Sequence, residues 1–72
     1  MHRKYAAKEF GKRLEALLIE RGVSKSALAS HLNVSRSHIS MVANGYRGLS
    51  MYMLDKTCQF LNTTPNHLMY GE

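Results

Sequence analysis

The sequence predicts an all-α domain built from five short helices. Apolar residues recur at helical spacing in successive stretches. Each stretch is preceded by a helix-capping residue or followed by a helix-ending one. The length of 72 residues fits one domain and no more. A domain of this size buries only about 60% of its unfolded surface, so its core is small.

The first helix is expected from about Tyr5 to Arg21, where Phe10, Leu14, Leu17 and Leu18 form the apolar stripe and Ala6 and Ala7 extend it. Lys8, Lys12, Arg13 and Glu15 fall on its other faces, and Gly22 follows it as a C-cap. Ser24 is a natural N-cap for a second helix, Lys25 to His31 or Leu32, with Leu28 and Leu32 on its core side and the small Ala29 admitting a close neighbour. Asn33 tolerates the left-handed conformation of a sharp turn, Val34 packs beneath that turn, and Ser35 caps the third helix.

That helix is expected from Arg36 to Ala43, with Ile39 and Val42 facing the core. Asn44-Gly45 ends it, since both residues tolerate positive φ. Ser50 caps a fourth helix, Met51 to Leu61, whose expected buried stripe is Met51, Leu54, Cys58 and Leu61; Asn62 ends it. Thr64-Pro65, a cap followed by proline at the first helical position, starts a fifth helix reaching about Met69.

Charge separates these elements. Ten Lys and Arg stand against five Asp and Glu, a basic excess that favours an anionic partner. No acid occurs between Arg21 and Leu54, the stretch that also holds Lys25, Arg36 and Arg47. The acids are Glu9, Glu15 and Glu20 in the first helix, Asp55 and Glu72. Two helices joined by a three-residue turn, the second with a polar, acid-free outer face, make a helix-turn-helix pattern at about residues 24–43. In that arrangement the first helix braces across the phosphate backbone and the second presents side chains to the major groove.

By position and chemistry, Arg36, Ser37, His38 and Met41 are the expected base readers. Arg36 suits guanine O6 and N7, Ser37 suits several bases, and Met41 suits a thymine methyl. Ser24, Lys25 and Ser26 at one helix start, Ser35 and Ser40 on the reading helix, and Asn44, Tyr46 and Arg47 beyond it are the expected phosphate contacts. Arg3 and Lys4 are candidates for a basic arm at about residues 1–5, which Lys8 would extend; the alternative is a frayed, solvated terminus.

Other chemistries lack their residues. Cys58 is the only cysteine, so no intramolecular disulfide can form. His2, His31, His38 and His67 show no zinc-site spacing with each other or with Cys58, so no metal is expected. No paired catalytic groups and no glycine-rich phosphate loop suggest an enzyme. No cofactor or small-molecule ligand is expected. No apolar run is long enough to span a bilayer, and no signal peptide is visible, so a cytoplasmic location is expected.

The segments "FGKRLEALLIERGVSKSALASHLNVSRSHISMVANG" and "LSMYMLDKTCQFLNTTPNHLMYG" resemble the helix-turn-helix domains of the lambdoid phage repressor and Cro type, the XRE family. The resemblance covers nearly the whole chain and is carried by Gly11, Leu14, Gly22, Ser24, Leu28, Ala29, Leu32, Val34, Ser35, Ile39, Gly45, Leu54, Leu61 and Leu68. It implies a repressor-like fold and a regulator that binds double-stranded DNA as a homodimer on a near-palindromic operator. Three departures stand out. Lys25 replaces the family's usual Gln, Leu18 and Ala43 replace an Arg–Glu pair, and Leu49 stands where a Pro is common. Exchanging both partners of an ion pair for apolar groups is often neutral or stabilising, so Leu18 and Ala43 are expected to meet as a repacked bridge.

A single small module reads few bases, which favours a dimer. Leu49, Phe60, Leu68, Met69 and Tyr70 are the expected interface, with about residues 65–72 as a dimerisation tail; the alternative for Leu68 and Phe60 is that they finish the monomer core. The chain's end near the end of the DNA-binding domain suggests a minimal Cro-like repressor of phage, plasmid or mobile-element type, or a controller of a restriction-modification operon. The alternative is an antitoxin that binds a toxin and represses its own promoter. A membrane-surface helix protein is disfavoured by the strong tertiary pattern.

Overall fold

A computed structural model of the chain describes residues 6–72. The expected basic arm at residues 1–5, with Arg3 and Lys4, and the expected helical start at Tyr5 lie outside the described residues, as does His2. Five helices follow in order: α1 (Ala7–Arg21), α2 (Lys25–Leu32), α3 (Arg36–Ala43), α4 (Met51–Leu61) and α5 (Pro65–Tyr70). No strand occurs among the described residues, and the all-α, repressor-like helix-turn-helix fold read from the sequence is the one observed.

The helix limits follow the capping residues. Ser24, Ser35 and Ser50 each accept a hydrogen bond from the backbone N–H three residues on, at 3.0, 3.1 and 3.2 Å, and Thr64 does the same for His67 at 3.1 Å. Each bond satisfies one of the amides a helix start leaves unpaired. Asn33 and Asn62 adopt the left-handed conformation at φ 60° and 55°, which ends α2 and α4. At the end of α3 the division of labour differs from expectation. Asn44 stays right-handed at φ −88°, and Gly45 alone takes positive φ, at 82°. The Tyr46 N–H then bonds Met41 O at 2.9 Å and closes the helix.

Phe10, Leu14, Leu28, Ile39, Leu61 and Leu68 form the centre of the core, with Leu17, Leu18, Ala29, Val42, Leu54 and Cys58 around them. Val34 packs against this cluster beneath the turn. Of the helix-turn-helix pair, α3 packs on α1 and α2 packs on α3 and α4, while α5 packs on α1 and α4. Met51 is a correction to the expected α4 stripe: it is 79% exposed, while Thr57 is fully buried in its place. Thr57 can sit there because its hydroxyl donates to Met53 O at 2.8 Å, leaving no buried hydroxyl unpaired.

The crossing of α1 and α3 is set by Gly11. A Cβ at this position would lie 2.5 Å from Val42 O and run into the Ala43 carbonyl oxygen as well. Ala43 is therefore buried against the backbone of Gly11. Leu18, seven residues and about 10 Å further along α1, belongs to the main core cluster, which does not include Ala43. The expected Leu18–Ala43 bridge is thus replaced by a contact of Ala43 with Gly11.

Two arginines of α1 tie down the ends of other helices. Arg13 donates from Nε to Leu68 O at 2.7 Å and from Nη2 to Met69 O at 2.5 Å. Arg21 donates from Nε to Leu61 O at 2.8 Å and from Nη2 to Asn62 O at 3.4 Å. The carbonyls at a helix end lack intrahelical donors and carry partial negative charge, so each guanidinium both caps and complements the dipole.

Candidate nucleic-acid interface

The outer face of α3 carries the side chains expected to read bases. Arg36 and Ser37 are exposed at its start, and Met41 is 41% exposed one turn on. Arg36 makes no hydrogen bond or ion pair with a described residue, so its guanidinium fork is available for a bidentate contact. His38 departs from this pattern. It is half-buried, and its Nε2 is shut off from solvent with no hydrogen-bond partner. That nitrogen is turned into the protein, as it would be in a histidine that shields the turn. Ser40 is half-buried beside it.

At the start of α2, Ser24 and Ser26 are exposed, and Ser24 Oγ already caps the helix through Ala27 N. Lys25 is engaged: its Nζ lies 2.7 Å from Glu15 Oε1 on α1. Ser35 likewise caps α3 through His38 N, which leaves its hydroxyl proton free to donate elsewhere. Beyond the other end of α3, Asn44, Tyr46 and Arg47 are exposed, Tyr46 at 78%. In chain order the two expected phosphate-contacting groups stand on either side of α3, one at the head of α2 and one after its end.

Arg21 leaves the basic field in which the sequence placed it, because it caps α4. Lys56 lies over the Tyr52 ring at 5.5 Å from its centroid. The absence of acid from α2 and α3 keeps the region's charge positive all the same. Glu15 is the residue that sequence reasoning missed. Its closeness to Lys25 depends on how α1 packs against α2, and no local spacing signals it.

The expected interface residues divide. Leu68 is fully buried in the monomer core, so it is unavailable to a partner, and this corrects its place in the expected interface. The same burial, with the Arg13 bonds, makes α5 an integral part of the domain. Phe60 is 40% exposed but stacks one ring face on His31, with centroids 4.2 Å apart and planes 14° from parallel. Tyr70 is half-buried. Leu49 and Met69 line an apolar cleft of 180 Å³ with Phe10, Leu54 and the exposed Met51.

Among the described residues no helix is long and apolar enough to cross a membrane, and no group of three or more His, Cys, Asp or Glu is placed to hold a metal ion. Cys58 is buried and unpaired, and burial followed by the nearby Asp55 charge pushes its thiol pKa up.

The chain matches the helix-turn-helix family model HTH_3 over residues 14–68. It is similar to the restriction-modification controller protein C.AhdI from Aeromonas hydrophila, with 31% identity and a TM-score of 0.78 over 86% of this chain and 94% of that one. It is also similar to SinR, a master regulator for biofilm formation solved in complex with DNA, with 27% identity and a TM-score of 0.73 over 82% of this chain and 95% of that one. The clp gene regulator ClgR from Corynebacterium glutamicum shares the fold, with a TM-score of 0.82 at 21% identity over 93% of this chain and 71% of that one. No curated protein matches the chain.

Proposed function

The chain belongs to the helix-turn-helix family HTH_3 and is a DNA-binding transcription regulator; from that premise we propose that it acts as a homodimer on a near-palindromic operator, as a Cro-like repressor or a controller of a restriction-modification operon. The observation that carries this reading is the outer face of α3. It is free of acid, it presents Arg36, which pairs with no described residue, with Ser37 and Met41, and exposed groups able to contact phosphate stand before and after it in the chain. In this reading Arg36 contacts guanine, Ser37 and Met41 refine the preference, and Ser24, Ser26, Asn44, Tyr46 and Arg47 hold the backbone. Lys25 joins them when Glu15 yields it to a phosphate.

The dimer reading is supported by the cleft between Leu49 and Met69, with Met51 projecting beside it. Apolar surface of this kind on a monomer is surface a second copy can cover. The controller reading is supported by the similarity to C.AhdI across nearly all of that protein's length.

The test is selection of binding sites from random duplexes, followed by footprinting with wild type and with Arg36→Ala. A two-fold symmetric site with half-site centres about 34 Å apart is expected. Arg36→Ala should relax one position in each half-site at a cost of about 1–3 kcal/mol. An asymmetric site, or no preferred site at all, overturns the reading.

A further inference from the structure

We propose that Lys8, in the first turn of α1, is a phosphate-contacting residue of the same DNA-binding surface, brought there by the close approach of α1 to Gly45; the proposal rests on the DNA-binding reading given above. The approach is tight. A Cβ on Gly45 would lie 2.9 Å from Lys8 Cα, 3.2 Å from its N and 3.3 Å from its Cβ. Gly45 also has φ 82°, so both its conformation and its lack of a side chain are needed for α1 to pack there. One turn further on, Gly11 rests against Val42 and Ala43. These two contacts fix the register of α1 against the end of α3 and hold Lys8 beside Gly45.

Lys8 is exposed and has no hydrogen bond or ion pair with any described residue. Other cations are already committed: Arg13 and Arg21 to helix-end carbonyls, Lys25 to Glu15 and Lys56 to the Tyr52 ring. Lys12 is exposed as well, but it lies one turn further along α1, away from Gly45. Lys8 at Gly45 and Arg47 two residues further along the chain are thus two positive charges beyond the end of the reading helix that pair with no described residue. Nothing local explains Lys8, because a cation in the first turn of a helix is opposed by the macrodipole. A phosphate near Gly45 would supply the counter-charge that the described residues do not.

The experiment is fluorescence anisotropy of a labelled mixed-sequence DNA duplex, titrated at several salt concentrations with wild type, Lys8→Gln and Lys8→Arg. Lys8→Gln should reduce the magnitude of the log–log salt slope by about 0.9 per protomer and weaken binding alike on every sequence. Lys8→Arg should keep the wild-type slope. Lys8→Gln should also melt no lower than wild type, since it relieves the dipole conflict; a lowered melting temperature would indicate a structural role and overturn the proposal. Wild-type affinity and slope in Lys8→Gln would overturn it directly, with the DNA-binding reading intact. Absence of salt-dependent binding by wild type would instead remove that reading, and this proposal with it.

Discussion

Lys25 Nζ sits 2.7 Å from Glu15 Oε1, so the lysine at the head of α2 is held by α1 before any phosphate arrives. In the proposed reading, in which Lys25 contacts a phosphate, DNA has to compete with this carboxylate for the ammonium, and the carboxylate repels the backbone. Glu15→Gln should therefore tighten binding to duplex DNA by up to about 1 kcal/mol, roughly fivefold, the upper range for exposed pairs. It should also steepen the salt slope. The side chains of Lys25 and Glu15 are 26% and 45% exposed, so loss of the pair should cost the fold less than about 1 kcal/mol. Anisotropy titrations and thermal melts check both; weaker binding by Glu15→Gln would mean that Glu15 orients Lys25 rather than restrains it.

Gly11→Ala tests the α1–α3 crossing through the sign of its effect. Alanine is the better helix former by about 1 kcal/mol, so propensity alone predicts stabilisation. The new Cβ would instead meet the carbonyls of Val42 and Ala43, backbone atoms that cannot swing aside. Overpacking of this kind costs about 1–3 kcal/mol. A lower melting temperature is expected, and a higher one would show that the helices do not cross here.

Arg13→Ala removes two part-buried bonds to the end of α5. Hydrogen bonds to a charged group contribute about 1.5–3 kcal/mol, and urea unfolding should show a loss in that range. Arg13→Lys should recover only part of it, because one ammonium lacks the planar fork that meets both carbonyls. Equal stability of Arg13→Ala and wild type would mean that the bonds are not formed in solution.

Cys58 should resist thiol reagents until the protein unfolds, because the thiol is buried and the thiolate is the reactive form. Burial first, and then Asp55, raise its pKa above the ordinary 9.0. The unfolded chain therefore loses this proton at lower pH than the folded one. Stability contributed by the protonated thiol is complete below the ordinary value and falls as pH rises through the folded pKa. Cys58→Ala should remove that alkaline component, and an unchanged pH–stability profile in this variant would refute the assignment.

The helix limits were legible because their signals are local. Ser24, Ser35, Ser50 and Thr64 sit next to the amides they cap, and Asn33 and Asn62 act through their own φ. Arg13 and Arg21 were not legible, since their acceptors lie 55 and 40 residues away and no periodicity records such a bond. The pairing of Lys25 with Glu15 was hidden for the same reason. Met51 fits the apolar spacing of α4 but stands at its first position, where the chain leaves it exposed beside an open cleft. For the candidate interface, residue type placed Arg36 and Ser37 on α3; only packing reveals that His38 Nε2 faces inward and that Lys8 approaches Gly45.

The Arg13 bonds also bear on the order in which the domain can be made. A ribosome delivers α1 first and α5 last, yet Arg13 finds its acceptors, and Phe10 and Leu14 their core neighbour Leu68, only in α5. Until α5 emerges, α3 and α4 can cover part of the apolar stripe of α1, but the part that α5 packs on stays open. Contacts of such long sequence separation slow folding, and here they postpone it: a chain ending at Asn62 should show a largely unfolded circular dichroism spectrum. The smallest helix is thus the latch of the whole domain, and the regulator can complete its fold only after α5 has been made.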